Sequence, residues 1–176
     1  MIFTETKLAG AYLVELERFD DKRGFFARSW SQKEFAAQGL ESRLVEINVS
    51  FNHLKGTLRG MHYQEAPHGQ VKVVRCTRGA IFDVIIDLRP SSSTFKQWVA
   101  AELTADNHSA LYIPLDFAHG FQTLMDNSEI LYQMSDPFVP GSGRGVRWND
   151  PAVGIDWPDD VRTINARDAE YPDFEE

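Results

Sequence analysis

Apolar positions in this chain fall in short runs rather than in long helical periods. Segments rich in Val, Ile, Phe and Tyr occur at Tyr12 to Leu16, Gln70 to Cys76, Ile81 to Leu88, Trp98 to Leu103, Ala110 to Ile113 and Glu129 to Met134. Runs of this length and composition, punctuated by turn residues, read as strands. Many of them in one chain predict a mainly β sandwich or barrel. Thr77-Arg78-Gly79, between two of the runs, predicts a hairpin. The exception is Ser31 to Gly39, where Ser31 and Glu34 have capping-box spacing and Gly39 suits a helix C-terminus, so one short helix is expected. The stretches Pro90 to Ser93 and Pro140 to Gly143 read as turns rather than linkers. After Asp150 the chain turns rich in Asp, Pro and Trp, which predicts mostly loop, with helical turns between Pro158 and Arg167, lying as a cover over the barrel.

Composition narrows the class. With 176 residues, 43% of them hydrophobic, the chain can bury one sizeable core and is short for two, so residues 1–176 read as a single domain. No window approaches the roughly 20 apolar residues of a membrane helix, and the N-terminal stretch carries Glu5 and Lys7 without a signal-like apolar run. Cys76 is the only cysteine, which excludes an intramolecular disulfide and favours the cytoplasm. A net charge of −8 repels a polyanion, so neither nucleic acid nor an anionic membrane is expected as partner, and a phosphate ligand would need a local basic pocket.

Candidate chemistry begins at Gly56 to Gln64, GTLRGMHYQ, which sets Arg59 and His62 among glycines and aromatics. A lone histidine in an apolar strand is more often structural than catalytic, so its partners decide its role. In the next segment, Gln70 to Phe95, Lys72 shares a strand face with Val74 and Cys76, and Asp83 shares one with Ile81, Ile85 and Asp87. Either these faces point into the core, where charges must be paired or used, or they are solvated. Ile113 to Phe121, IPLDFAHGF, resembles the second cupin motif, in which His119 would ligate a metal. The companion His-x-His is missing, because His62 is followed by Tyr63 and Gln64, and two histidines fall short of the three or four protein ligands such metal sites use. No catalytic metal is expected, and His119 reads better as a partner for substrate.

The segments GTLRGMHYQ, QVKVVRCTRGAIFDVIIDLRPSSSTF, IPLDFAHGF, ILYQ, GVRWNDP and ARDAEYP, with FDDKRGFFARSW upstream, resemble in order and spacing the dTDP-4-dehydrorhamnose 3,5-epimerase family over nearly the whole chain. That resemblance implies a cupin-like double-stranded β-helix (a jelly-roll barrel), a homodimer and no cofactor. It also implies inversion of the carbons flanking the ketone of a nucleotide-linked 4-keto-6-deoxy sugar. Proton abstraction beside a carbonyl needs a base, stabilisation of the enolate, and an acid on the opposite face. By resemblance His62 is the base, Asp168 orients it, Tyr132 is the acid, and Lys72, positioned by Asp83, stabilises the enolate. Arg23, Arg59 and Arg167, with His119 nearby, would hold the diphosphate through guanidinium forks. Phe26, Arg28, Glu46, Asn48 and Phe138 complete the implied substrate-binding set. Arg144 and Arg162 read as exposed ion-pairing residues.

Two features complicate the match. In a regular strand Arg59 and His62 face opposite sides, so a bulge, a twist or the reach of Arg59 must bring both to one site. Four positions depart from the family: Arg28 and Gly143 stand where glutamate is usual, Glu46 where glutamine is, and Phe138 where a tyrosine stacks on thymine. These changes touch the base-reading set and leave CDP- or GDP-linked sugars, or inversion of one carbon only, as alternatives. Two further alternatives are a metal-dependent cupin enzyme and a non-catalytic sugar-nucleotide-binding module.

Overall fold

The computed structural model describes residues 1–174. In chain order these form β1 (Ile2–Glu5), β2 (Tyr12–Glu15), β3 (Arg18–Asp21), β4 (Gly24–Ala27), α1 (Gln32–Ala37), β5 (Glu46–Asn52), β6 (Leu58–Gln64) and β7 (Lys72–Arg78). They continue with β8 (Ala80–Asp87), β9 (Trp98–Thr104), β10 (Ala110–Ile113), β11 (Phe117–Thr123), β12 (Ser128–Met134), β13 (Gly143–Gly145) and α2 (Ala166–Ala169). The mainly β, cupin-like architecture expected from the sequence is present, but as two open antiparallel sheets and not as a closed barrel. One sheet has the order β1-β2-β10-β7-β12-β5 and the other β13-β6-β11-β8-β9; β3 and β4 pair only with each other.

The expected β7–β8 hairpin does not form. At Gly79 the chain leaves the six-stranded sheet and enters the five-stranded one, so β7 pairs with β10 and β12 while β8 pairs with β11 and β9. This crossing puts the two strands face to face. Val74 and Cys76 of β7 pack with Ile81 and Ile85 of β8 in the central core, together with Leu103, Leu111, Phe121 and Ile130. The faces carrying Lys72 and Asp83 therefore point inward, which rules out the solvated alternative.

Each outer face has its own cover. Helix α1 lays Phe35 over Val14, Val73 and Tyr112 of the six-stranded sheet. Its Ser31 cap accepts the Glu34 N–H at 3.4 Å, but Glu34 does not complete the box: its carboxylate goes to the Met1 amino group and to Arg28, both at 2.8 Å. Val153, Ile155, Trp157 and Phe174 of the tail cover Val84, Ile86 and Ala118 of the other sheet. Between Asp150 and Asn165 that tail is irregular apart from a Thr57–Thr163 bridge, and its single helical turn comes later than expected, at Ala166–Ala169. Asn165, whose side chain accepts the Asp168 N–H at 2.7 Å, starts it there.

Candidate active site

Between the sheets lies a cavity of about 270 Å³ lined by Asn48 and Ser50 of β5, Arg59 and His62 of β6, Lys72 of β7, His119 and Phe121 of β11, and Tyr132 and Met134 of β12. Arg59 reaches it because β6 bulges. In the β6–β11 ladder His62 faces His119 while Arg59 faces Phe121, so three steps on β6 match two on β11. Gly60 sits at the bulge with φ of +132°, and a Cβ there would stand 2.5 Å from the Gly120 Cα, so the close approach of the two strands needs glycine. Arg59 is oriented by the Asn52 side chain, whose Oδ1 accepts from its Nε at 2.7 Å.

His62 Nε2 lies 2.7 Å from Asp168 Oδ1, and the other carboxylate oxygen accepts the Gly60 N–H at 3.0 Å. Burial alone would raise the Asp168 pKa. The hydrogen bonds from His62 and the Gly60 amide outweigh burial and hold it below the usual carboxylate range, so Asp168 remains an anion behind the imidazole. A second pair lies deeper: His119 Nε2 is 2.7 Å from Asp83 Oδ1, both side chains being buried. Asp83 is thus hydrogen-bonded to His119 and not to Lys72, contrary to the expected pairing. The Lys72 ammonium instead donates to the His62 carbonyl at 3.3 Å. Burial brings the Lys72 pKa down to about 8, with the Asp83 charge opposing the shift. Tyr132, whose ring lies 6.1 Å from that of His119, is pushed well up, first by burial and then by the Asp83 charge, so its hydroxyl keeps its proton.

A second cavity of about 210 Å³ shares His62, Lys72 and Met134 with the first and adds Phe138, Arg144 and Arg167. Arg167 Nη2 reaches the Gly143 carbonyl at 3.4 Å, and a side chain at 143 would meet this guanidinium at 3.1 Å. Arg144 forms a surface ion pair with Glu65.

Other expected ligands lie elsewhere. Arg23 is exposed on the β3–β4 hairpin and paired with Asp21 at 2.6 Å; Phe26, on the same hairpin, is 74% exposed. Arg28 is held by Glu34 beside the N-terminus, and Glu46 starts β5 outside the lining of both cavities. Sequence reading missed Ser50, Phe121 and Met134. The available signal was the alternation of EINVSFN, whose polar set Asn48, Ser50 and Asn52 runs along one face of β5. Among the described residues no group of three His, Cys, Asp or Glu is placed to hold a metal ion.

Comparison with known proteins adds sequence-wide support. Residues 5–176 match the family model described as dTDP-4-dehydrorhamnose 3,5-epimerase. The protein of that name from Salmonella typhimurium (strain LT2) is 41% identical over 176 residues, covering 98% of this chain and 94% of the relative. A Bacillus anthracis protein of the same name, solved with TDP and PPi bound, superposes with a TM-score of 0.94 at 39% identity, covering 98% of this chain and 99% of its own. A dTDP-6-deoxy-D-glucose-3,5-epimerase from Legionella pneumophila, solved with dTDP-4-keto-L-rhamnose, gives 0.89 at 35% identity, with 97% and 90% covered.

Proposed function

The chain belongs to the dTDP-4-dehydrorhamnose 3,5-epimerase family and is a carbohydrate epimerase acting on a dTDP-linked 4-keto-6-deoxy sugar; we propose that His62 and Tyr132 are its base and acid. One observation carries the assignment of roles. His62 projects from the five-stranded sheet and Tyr132 from the six-stranded sheet into the same cavity, so a sugar ring lying between the sheets meets one on each face.

In this reading His62 takes the C–H proton beside the ketone, and the C–H electron pair moves onto the C4 oxygen as an enolate. Lys72, cationic at neutral pH and stripped of water, stabilises that oxygen, since charge in a water-poor site acts more strongly than in solvent. The enolate carbon then takes a proton from the Tyr132 hydroxyl on the other face, and the configuration inverts. Asp168 fixes the His62 ring and balances its positive charge. Asp83 acts at one remove, through His119, and contributes a negative charge that helps keep Tyr132 protonated.

Arg59, Asn48 and His119 in the first cavity and Arg167 and Phe138 in the second supply the basic, partly aromatic surface that a nucleoside diphosphate needs in a chain of net charge −8. The single buried cysteine fits a cytoplasmic enzyme. We also propose a homodimer. Strand β5 turns its polar face to the cavity and leaves Ile47, Val49 and Phe51 exposed at the edge of its sheet, and the β3–β4 hairpin separately exposes Phe19, Phe25 and Phe26. A partner covering that surface would receive Arg23 and Phe26 into its own site.

The test is NMR of dTDP-4-dehydro-6-deoxyglucose in D2O with the purified protein. Deuterium is expected at C3 and C5, together with formation of dTDP-4-dehydrorhamnose. Exchange at one carbon alone would limit the activity to that carbon, and no exchange with dTDP-, CDP- or GDP-linked 4-keto sugars would sink the reading.

A further inference from the structure

His62 faces His119 across the β6–β11 ladder, but in the β13–β6 ladder its register partner is Gly145, so on the β13 side no cross-strand side chain flanks the imidazole. That space is filled from a distant part of the chain. The Tyr171 ring lies over Gly145 so closely that a Cβ there would fall well inside van der Waals contact distance of its ring carbons. The same ring meets His62 edge to face, with centroids 6.2 Å apart and planes at 72°. Among the described residues its buried hydroxyl makes no hydrogen bond of good geometry and has the Arg167 guanidinium as its polar neighbour, so what Tyr171 brings to His62 is its ring.

We infer that Tyr171 is a positioning residue for His62: seated in the gap left by Gly145, its ring confines the imidazole to the orientation in which Asp168 holds it. The inference rests on the proposed role of His62 for its effect on rate. A base must keep its lone pair aimed at one C–H bond, and a misplacement of about 1 Å can cost roughly 10²-fold in rate. An imidazole bounded by glycine on one side would be free to swing, whereas an aromatic ring laid across a cross-strand glycine closes that side.

Tyr171 is well placed for the task because it follows Asp168 by three residues on a strap fixed at both ends. At the near end Asp168 accepts the Gly60 N–H at 3.0 Å and its own N–H is capped by Asn165. At the far end the Phe174 N–H donates to Asp150 Oδ2 at 2.5 Å, and the Phe174 ring meets Phe95 with centroids 6.2 Å apart. The Arg167 guanidinium lies over the Tyr171 ring, 5.8 Å from its centroid. One short segment thus supports the orienting carboxylate, the flanking ring and a phosphate-binding candidate.

Three variants separate positioning from mere packing. Tyr171→Ala removes the ring, Gly145→Ala displaces it from the opposite side, and Tyr171→Phe keeps it without the hydroxyl. Both alanine variants are expected to lose about 10- to 100-fold in kcat with KM within about threefold, and Tyr171→Phe to recover kcat to within about twofold. A second readout needs no substrate: the NMR signal of the His62 N–H proton shared with Asp168 should broaden or vanish in both alanine variants and persist in Tyr171→Phe. Should Gly145→Ala fail to fold, Tyr171→Ala against Tyr171→Phe carries the same comparison. Wild-type kcat in Tyr171→Ala, or a lowered kcat with the His62 signal intact, overturns the inference. If the wild-type protein exchanges no sugar proton at all, the epimerase reading fails, and the NMR comparison still decides whether Tyr171 holds His62.

Discussion

Lys72 lies in the shared lining of both cavities, on the strand face of Val74 and Cys76, with burial drawing its pKa down to about 8. As the enolate-stabilising cation it is active below that value, so kcat is expected to fall as pH rises through about 8. Lys72→Met should remove this alkaline limb at a cost of about 10²–10³-fold in rate, the range for losing one donor to a developing oxyanion. The folding linkage runs in the opposite direction. Between about pH 8 and the ordinary lysine value near 10.4, the unfolded chain binds a proton that the folded chain has released, so the Lys72 contribution to stability rises with pH across that window. Denaturation of wild type and Lys72→Met across this window checks the sign. For His62→Asn, kcat is expected to drop by about 10²–10⁴-fold with little change in the unfolding midpoint, since the side chain is partly exposed to the cavity. At this scale the inward direction of Lys72 and Asp83 was ambiguous in the sequence, because alternation says which residues share a face and not which face is wet. The partner of Asp83 was misread for the same reason: His119 is 36 positions away, and only the β8–β11 pairing brings it close.

The bulge in β6 shows what local pattern can and cannot reveal. The sequence poses the problem, since Arg59 and His62 stand at odd spacing, and the structure answers it with an extra residue at Gly60–Met61 opposite Gly120. Gly60→Ala should therefore harm both fold and site. The strained φ and the contact with Gly120 predict a loss of about 1–3 kcal/mol in denaturant unfolding, with weaker nucleotide-sugar binding as Arg59 and His62 are driven apart. Helix α1 was legible because its cap is local, Ser31 to Glu34. The β7–β8 hairpin was misjudged because a turn signal at Gly79 serves equally well where a chain changes sheets. Strand β5 escaped notice because its pattern is inverted, with polar residues inward toward a ligand cavity and apolar ones outward.

At the scale of the whole molecule, two sheets that remain open along their edges leave a cavity between them, and the tail closes over one outer face while carrying Asp168 back to His62. No single segment of sequence contains that site; its parts come from β5, β6, β7, β11, β12 and α2, and resemblance of several ordered motifs made most of it legible. Arg23 and Phe26 lie outside it within one chain, which a dimer would remedy. Sedimentation is expected to show twice the chain mass, and Val49→Lys, placed on the exposed apolar edge, should yield monomers with at least about tenfold weaker substrate binding; a wild-type monomer at micromolar concentration would contradict the dimer. The central claim, a base and an acid facing each other across the sugar, is tested most directly by deuterium exchange into the 4-keto sugar with single-site variants. Tyr132→Phe is expected to exchange the carbon-bound proton in D2O without inverting the carbon, while His62→Asn loses exchange and inversion together. Exchange retained in His62→Asn but abolished in Tyr132→Phe would contradict that assignment.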